Sequence, residues 1–124
     1  ASSQAGRRAV AIAILSDEQR REIGAETSSV VLSLHTAAKQ LAHHPDIERS
    51  DYKLVQELIE TAEVRVAEGE REHAFGGFVN GSAWWAVVKS IRESAEVFLT
   101  SFRRMSRRQI RMKGLKGKDG PGGS

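Results

Sequence analysis

His43 and His44 stand directly before Pro45, with Lys39 one helical turn earlier and His35 two turns earlier. If that segment is helical, the i, i+4 spacing brings His35, Lys39 and His43 onto one face. Imidazole titrates near neutrality, so it can serve as general base or acid without large tuning. One rigid element would then offer imidazole and ammonium groups to the same phosphate. The plainer reading is an exposed helix end whose imidazolium compensates the C-terminal dipole.

Two apolar segments further on end in groups of the same kind. Ala83-Trp84-Trp85-Ala86-Val87-Val88 finishes in Lys89, and Val97-Phe98-Leu99 runs into Thr100, Ser101, Phe102, Arg103 and Arg104. Hydroxyls beside arginine suit an oxyanion, because guanidinium can donate two parallel hydrogen bonds to phosphate. Side chains alternate along a strand, so Trp84 and Trp85 must face opposite ways. One indole belongs in the core and the other is a candidate platform for a base or ribose. Lys89 shares a face with Trp85 and Val87. Thr100 and Ser101 cannot share one in a regular strand, so one of them turns toward the helices or marks a bulge. A zinc site built from His35, His43, His44 and His73 lacks the usual spacing and carboxylate partner. Neither metal nor organic cofactor is expected.

The elements that must position these groups are legible in outline. Ser16-Asp17-Glu18-Gln19 has the form of a capping box, predicting a helix from Ser16 to about Ile23 with Gly24 as its C-cap. Residues 28–34 read as a strand, and 35–44 as a helix that stops before Pro45. Ser50-Asp51 is expected to cap a helix whose apolar stripe is Leu54, Val55, Leu58, Ile59 and Ala62. From there the period falls to two, giving strands over 63–67, 73–79, 84–91 and 95–102. Asn80-Gly81 predicts a type I′ hairpin, and Arg92-Glu93-Ser94 a second tight connection. Gly76-Gly77 fits a close backbone approach or a bulge, not a phosphate loop. A short basic helix over 106–112 ends the fold. The fold class expected is α+β, with N-terminal helices packed on one face of a C-terminal antiparallel meander. Residues 1–8 read as a disordered lead-in, 9–113 as one domain, and 114–124 as a glycine-rich disordered tail.

The chain has 124 residues, 40% hydrophobic and 28% charged, the balance of one small globular domain. It contains no cysteine, which excludes disulfides and Cys-ligated metals. The apolar run from Ala9 to Leu15 is too short to span a bilayer, and no export signal is visible. Net charge is only +3, but Arg103, Arg104, Arg107, Arg108, Arg111, Lys113, Lys116 and Lys118 crowd the C-terminal end. That asymmetry points to an anionic partner, with a solvated basic tail as the bland alternative. The charged opening residues fit a C-terminal module of a larger protein.

Read in order, five segments resemble the phage-borne branch of the barnase/EndoU/colicin/RelE-like ribonuclease superfamily, found in Mu-like phage head-morphogenesis proteins and polymorphic toxins. They are Leu32-Ser33-Leu34-His35-Thr36-Ala37-Ala38-Lys39-Gln40, His43-His44-Pro45-Asp46, Asp51-Tyr52-Lys53-Leu54-Val55-Gln56, Trp84-Trp85-Ala86-Val87-Val88-Lys89 and Phe98-Leu99-Thr100-Ser101-Phe102-Arg103-Arg104. The resemblance implies a compact α+β nuclease fold with RNA on the exposed sheet surface, and cleavage without a metal. On that basis His43, His44, Lys89, Thr100, Ser101 and Arg103 are the expected catalytic groups. Lys39, His35, Trp85 and Arg104 are the expected substrate contacts. The expected activity is endoribonucleolytic, in a monomeric toxin domain that works in the bacterial cytoplasm after delivery. An acidic immunity protein is the expected partner. A non-catalytic nucleic-acid-binding or structural phage domain is the alternative.

Overall fold

The structure, a computed structural model, describes residues 9–92 and 95–116. Its elements run β1 (Ala9–Ile14), α1 (Asp17–Ile23), β2 (Ser29–Ser33), α2 (Leu34–His43), a 3-10 turn (Arg49–Lys53), α3 (Leu54–Thr61), β3 (Val64–Ala67), β4 (Glu72–Val79), β5 (Ser82–Ile91), β6 (Glu96–Arg104) and α4 (Arg107–Lys113). The class is mixed α+β, as the sequence predicts. The helices are not all N-terminal, because α4 follows the last strand. Nor is the sheet a purely C-terminal meander. Its six strands lie in the order β1-β2-β6-β5-β4-β3, and β2 joins β6 in parallel. The apolar run at the start, assigned no strand from sequence, is the edge strand β1.

Local chemistry sets most boundaries. The Ser16 hydroxyl accepts from the Gln19 N–H while the Gln19 side chain accepts from the Ser16 N–H, and Gly24 closes α1 at φ 77°. The same reciprocal pair, Ser106 with Gln109, opens α4. Asn80 and Gly81 take φ of 53° and 83°, the left-handed pair that a type I′ hairpin needs. The expected Ser50-Asp51 helix cap is displaced. Asp51 instead accepts from the Glu48 N–H at 2.8 Å, stabilising the 3-10 turn, and α3 begins only at Leu54.

Alternation along β5 divides the apolar residues between the two sides of the sheet. Trp84, Ala86 and Val88 join Val30, Val97, Leu99 and Phe102 in the main core, together with Ile23, Tyr52, Val55, Leu58 and Ile59. Trp85 faces the other way, into a smaller cluster with Ala74, Ala83, Met105 and Leu115, against which Val87 and Ile110 pack. The stretch expected to be a disordered tail therefore begins in place. Gly114 caps α4, Leu115 is buried, and the Lys116 N–H donates to Glu63. The expected lead-in (1–8), Glu93 and Ser94 of the second connection, and residues 117–124 of the expected tail, Lys118 among them, lie outside the described residues.

The edge strand β1 matters for what can approach the sheet. On β1, Ile12 is an extra residue between two ladder pairs, and the Gln56 amide accepts from the Ile14 N–H and donates to its carbonyl, at 2.7 and 3.2 Å. A bulge and a side-chain cap together shorten the free edge available for pairing. Among the described glycines the closest approach is at Gly76, where a Cβ would meet the Trp85 ring at 2.6 Å. Gly77 likewise faces the backbone of Ala62 and Glu63. The glycine pair thus serves close packing, as its spacing predicts.

Candidate functional site

A hollow of about 320 Å³ opens where β2 and β6 part company. The two strands pair only at Val30–Val97 and Val31–Phe98. Beyond that point the chain after β2 winds into α2, initiated by the Ser33 hydroxyl, which accepts from the Thr36 N–H at 3.0 Å. The outer edge of β6 is left facing a helix instead of a strand. His35, Thr36, Lys39, Gln40, His43, His44 and Thr100 line the space between them. The lining includes three imidazoles, an ammonium, two hydroxyls and an amide, and no carboxylate.

The hydroxyl of Thr100 reaches this hollow because of one extra residue. Val87 pairs with Ser101 and Val88 with Leu99, so Thr100 is bulged out of the β5–β6 ladder. Its Oγ1 donates to the Val87 carbonyl at 3.2 Å, and the residue remains exposed. The bulge resolves the Thr100-Ser101 alternative left open by the sequence. Thr100 turns to α2, while Ser101 keeps its place opposite Val87 on the Trp85 side.

The expected constellation is therefore divided. His35, Lys39, His43, His44 and Thr100 meet in one cleft. Lys89 does not join them. It is exposed on the Trp85 side of β5, opposite Glu72 of β4 and Phe98 of β6. Arg103 pairs with Trp85 and Ser101 with Val87, so both belong to that second side. Trp85 is not an open platform for a base, because it is 3% exposed and carries the Lys113 ammonium 4.5 Å from its ring centroid. Arg104 is on the core side. Its guanidinium lies 4.5 Å over the Trp84 ring, with Nε 3.6 Å from Asp46 Oδ2 and Nη1 donating to the Ser82 hydroxyl at 3.3 Å.

Gln40 lines the cleft but carries no role in the sequence reading. It is 9% exposed, and its Oε1 accepts from the Phe102 N–H at 2.7 Å, a contact spanning 62 positions. Its place in the Lys39-Gln40 dipeptide gave no signal of this, because the contact exists only once β6 lies beside α2. Other hollows among the described residues include two of larger volume. One, about 510 Å³, is lined by Ile14, Ser16, Gln19, Gln56, Glu60 and Arg65, among others. The other, about 420 Å³, is mainly apolar and runs between β1 and α2 past Tyr52. Neither gathers imidazoles.

Among the described residues no group of three or more His, Cys, Asp or Glu side chains could hold a metal ion. No helix among them is long and apolar enough to cross a membrane. The chain matches no protein-family model, no curated protein and no solved structure.

Proposed function

We propose that this chain is a metal-independent endoribonuclease of the barnase/RelE type, with its active site in the cleft between α2 and the Thr100 bulge. The observation that carries the reading is the lining itself: His35, Lys39, His43, His44 and Thr100 around one hollow without a carboxylate. Such a surface attracts a phosphodiester and offers three imidazoles beside it for proton transfer.

The reaction needs few parts. His43 or His44 takes the proton from a ribose 2′-OH, and the 2′-oxygen attacks the adjacent phosphorus. The phosphorus–O5′ bond breaks, and a second imidazole of the cleft returns a proton to the departing 5′-oxygen. The products are a 2′,3′-cyclic phosphate and a 5′-OH end. Lys39 takes the role of stabilising the charge that develops on the non-bridging oxygens, and the Thr100 hydroxyl orients the phosphate by exchanging its bond to the Val87 carbonyl for one to a phosphate oxygen. A cation in that role contributes a factor of roughly a hundred or more. Lys89, Ser101 and Arg103, on the other side of the sheet, have no part in this chemistry. The α1, 3-10 and α3 residues that share the main core with the central strands support the barnase-like arrangement. A toxin domain of this kind would act in a bacterial cytoplasm, countered by an acidic immunity protein that covers the basic cleft.

The experiment is incubation of the purified protein with RNA and with DNA of the same sequence, in EDTA. Cleavage of RNA alone, leaving cyclic phosphate ends, is expected. Loss of activity in EDTA, or equal attack on DNA, rejects the reading. One observation favours a second reading, non-catalytic binding to nucleic acid. Lys89, Arg107, Arg108, Arg111 and Lys113 are all exposed and outside the cleft. That reading expects salt-sensitive retention of RNA and DNA alike, with no product.

A further inference from the structure

Gln40 is held in one orientation by the strand it faces. A backbone N–H can donate only to the oxygen end of a carboxamide, so the 2.7 Å contact from the Phe102 N–H fixes which end of the side chain is oxygen. The contact fills a vacancy in the sheet. β2 stops accompanying β6 after Phe98, and Phe102 would otherwise have a buried N–H without an acceptor. The amide nitrogen is then directed away from β6. It makes no hydrogen bond within the described residues, yet it is not among their sealed, unpartnered atoms, so it keeps access to solvent. The hollow that Gln40 lines is the cleft of His35, Lys39, His43 and His44.

We infer that Gln40 is a substrate-binding residue whose Nε2 donates to a non-bridging oxygen of the RNA phosphodiester. This rests on the ribonuclease reading and adds a neutral, pre-aimed donor to the mobile charge of Lys39. The amide sits on a rigid helix, is 9% exposed, and is locked at its oxygen, so little ordering remains to be done when phosphate arrives. The pairing also ties the site to the fold. The same side chain that completes the edge of β6 holds the cleft at a set distance from Thr100, two residues before Phe102.

Gln40→Glu tests the assignment, because a carboxylate still accepts from the Phe102 N–H but cannot donate, and it repels the phosphate. The expected result is a melting temperature close to that of the unaltered protein with RNA cleavage reduced about a hundredfold or more. Gln40→Met, which loses both ends, should lower the melting temperature as well. A second measurement needs no variant: inorganic phosphate is titrated into the unaltered protein while the Gln40 side-chain amide is followed by NMR. Its protons should shift and saturate together with the imidazole signals of the cleft. If the unaltered protein cleaves RNA while Gln40→Glu cleaves within about threefold of it and the amide protons stay still, Gln40 is purely structural and the inference is overturned. If the unaltered protein neither cleaves RNA nor binds phosphate, the ribonuclease reading itself falls, and the Gln40 role with it.

Discussion

The indole of Trp84 and the phenyl ring of Phe102 lie stacked across β5 and β6, centroids 4.6 Å apart and planes 8° from parallel. Tyr52 meets the same phenyl ring at 5.5 Å, and the Arg104 guanidinium covers the indole. A cation at the surface is thus joined through aromatic rings to the middle of the core. Phe102 carries the backbone N–H that Gln40 satisfies, so one hydrogen bond joins this ring stack to a residue that lines the cleft.

Truncating the stack should be costly. Trp84 and Phe102 are 1% and 0% exposed, and removing a buried aromatic ring leaves a cavity worth about 3–5 kcal/mol. Phe102→Ala is expected to lower the unfolding free energy measured by urea denaturation by that amount, and Arg104→Ala by far less, since its pairing with Asp46 is half-exposed. Equal losses from the two variants would mean that the cation, not the ring, organises the corner.

Tyr52 predicts a response to alkaline pH. Burial raises its phenol above the ordinary value, near 10. Below that value folded and unfolded chains both hold the proton, and the group leaves stability unchanged. Above it the unfolded chain releases the proton first, so stability falls as pH rises toward the folded value. Among the described residues the Tyr52 hydroxyl also has no hydrogen-bond partner, although it is buried. Tyr52→Phe should therefore match or exceed the parent in stability at pH 8, by up to about 1–3 kcal/mol, and decline less between pH 9 and 11. Chemical denaturation at the three pH values checks both parts.

Gly76→Ala is expected to be destabilising although alanine suits a strand better than glycine does. The added carbon would stand 2.6 Å from the Trp85 ring, and overpacking of this kind costs about 1–3 kcal/mol. The ring must shift, so the tryptophan emission should change along with the denaturation midpoint. An unchanged midpoint would show that Trp85 has room to move.

The two lysines separate the cleft from the opposite side of the sheet. Lys39→Ala should reduce RNA cleavage by about a hundredfold, and Lys89→Ala should leave it within a factor of about three. Initial-rate measurements on one RNA substrate decide the matter. The opposite ranking would move the active site to the Trp85 side.

Ser106→Ala removes the hydroxyl that accepts from the Gln109 N–H at 3.2 Å, a loss of about 1 kcal/mol. Since Ile110 and Leu115 pack in the cluster around Trp85, fraying of α4 should expose that indole. A red shift in emission at unchanged cleavage rate is the expected outcome.

Sequence alone determined those features whose cause lies within a few residues. The caps at Ser16 and Ser106, the hairpin at Asn80-Gly81 and the end of α2 before Pro45 follow from side-chain oxygens, positive φ and the sterics of proline. It also determined that Trp84 and Trp85 part company, and that the lysine and histidines of α2 share one side. Tertiary structure alone decided which of the candidate groups meet. The parallel pairing of β2 with β6, its end after Phe98, and the lodging of Gln40 against Phe102 depend on contacts across more than sixty positions. A one-residue bulge sent Thr100 to the cleft and left Ser101 and Arg103 behind the sheet. A period of two makes every face assignment hostage to such an insertion, because one added residue turns its neighbours over.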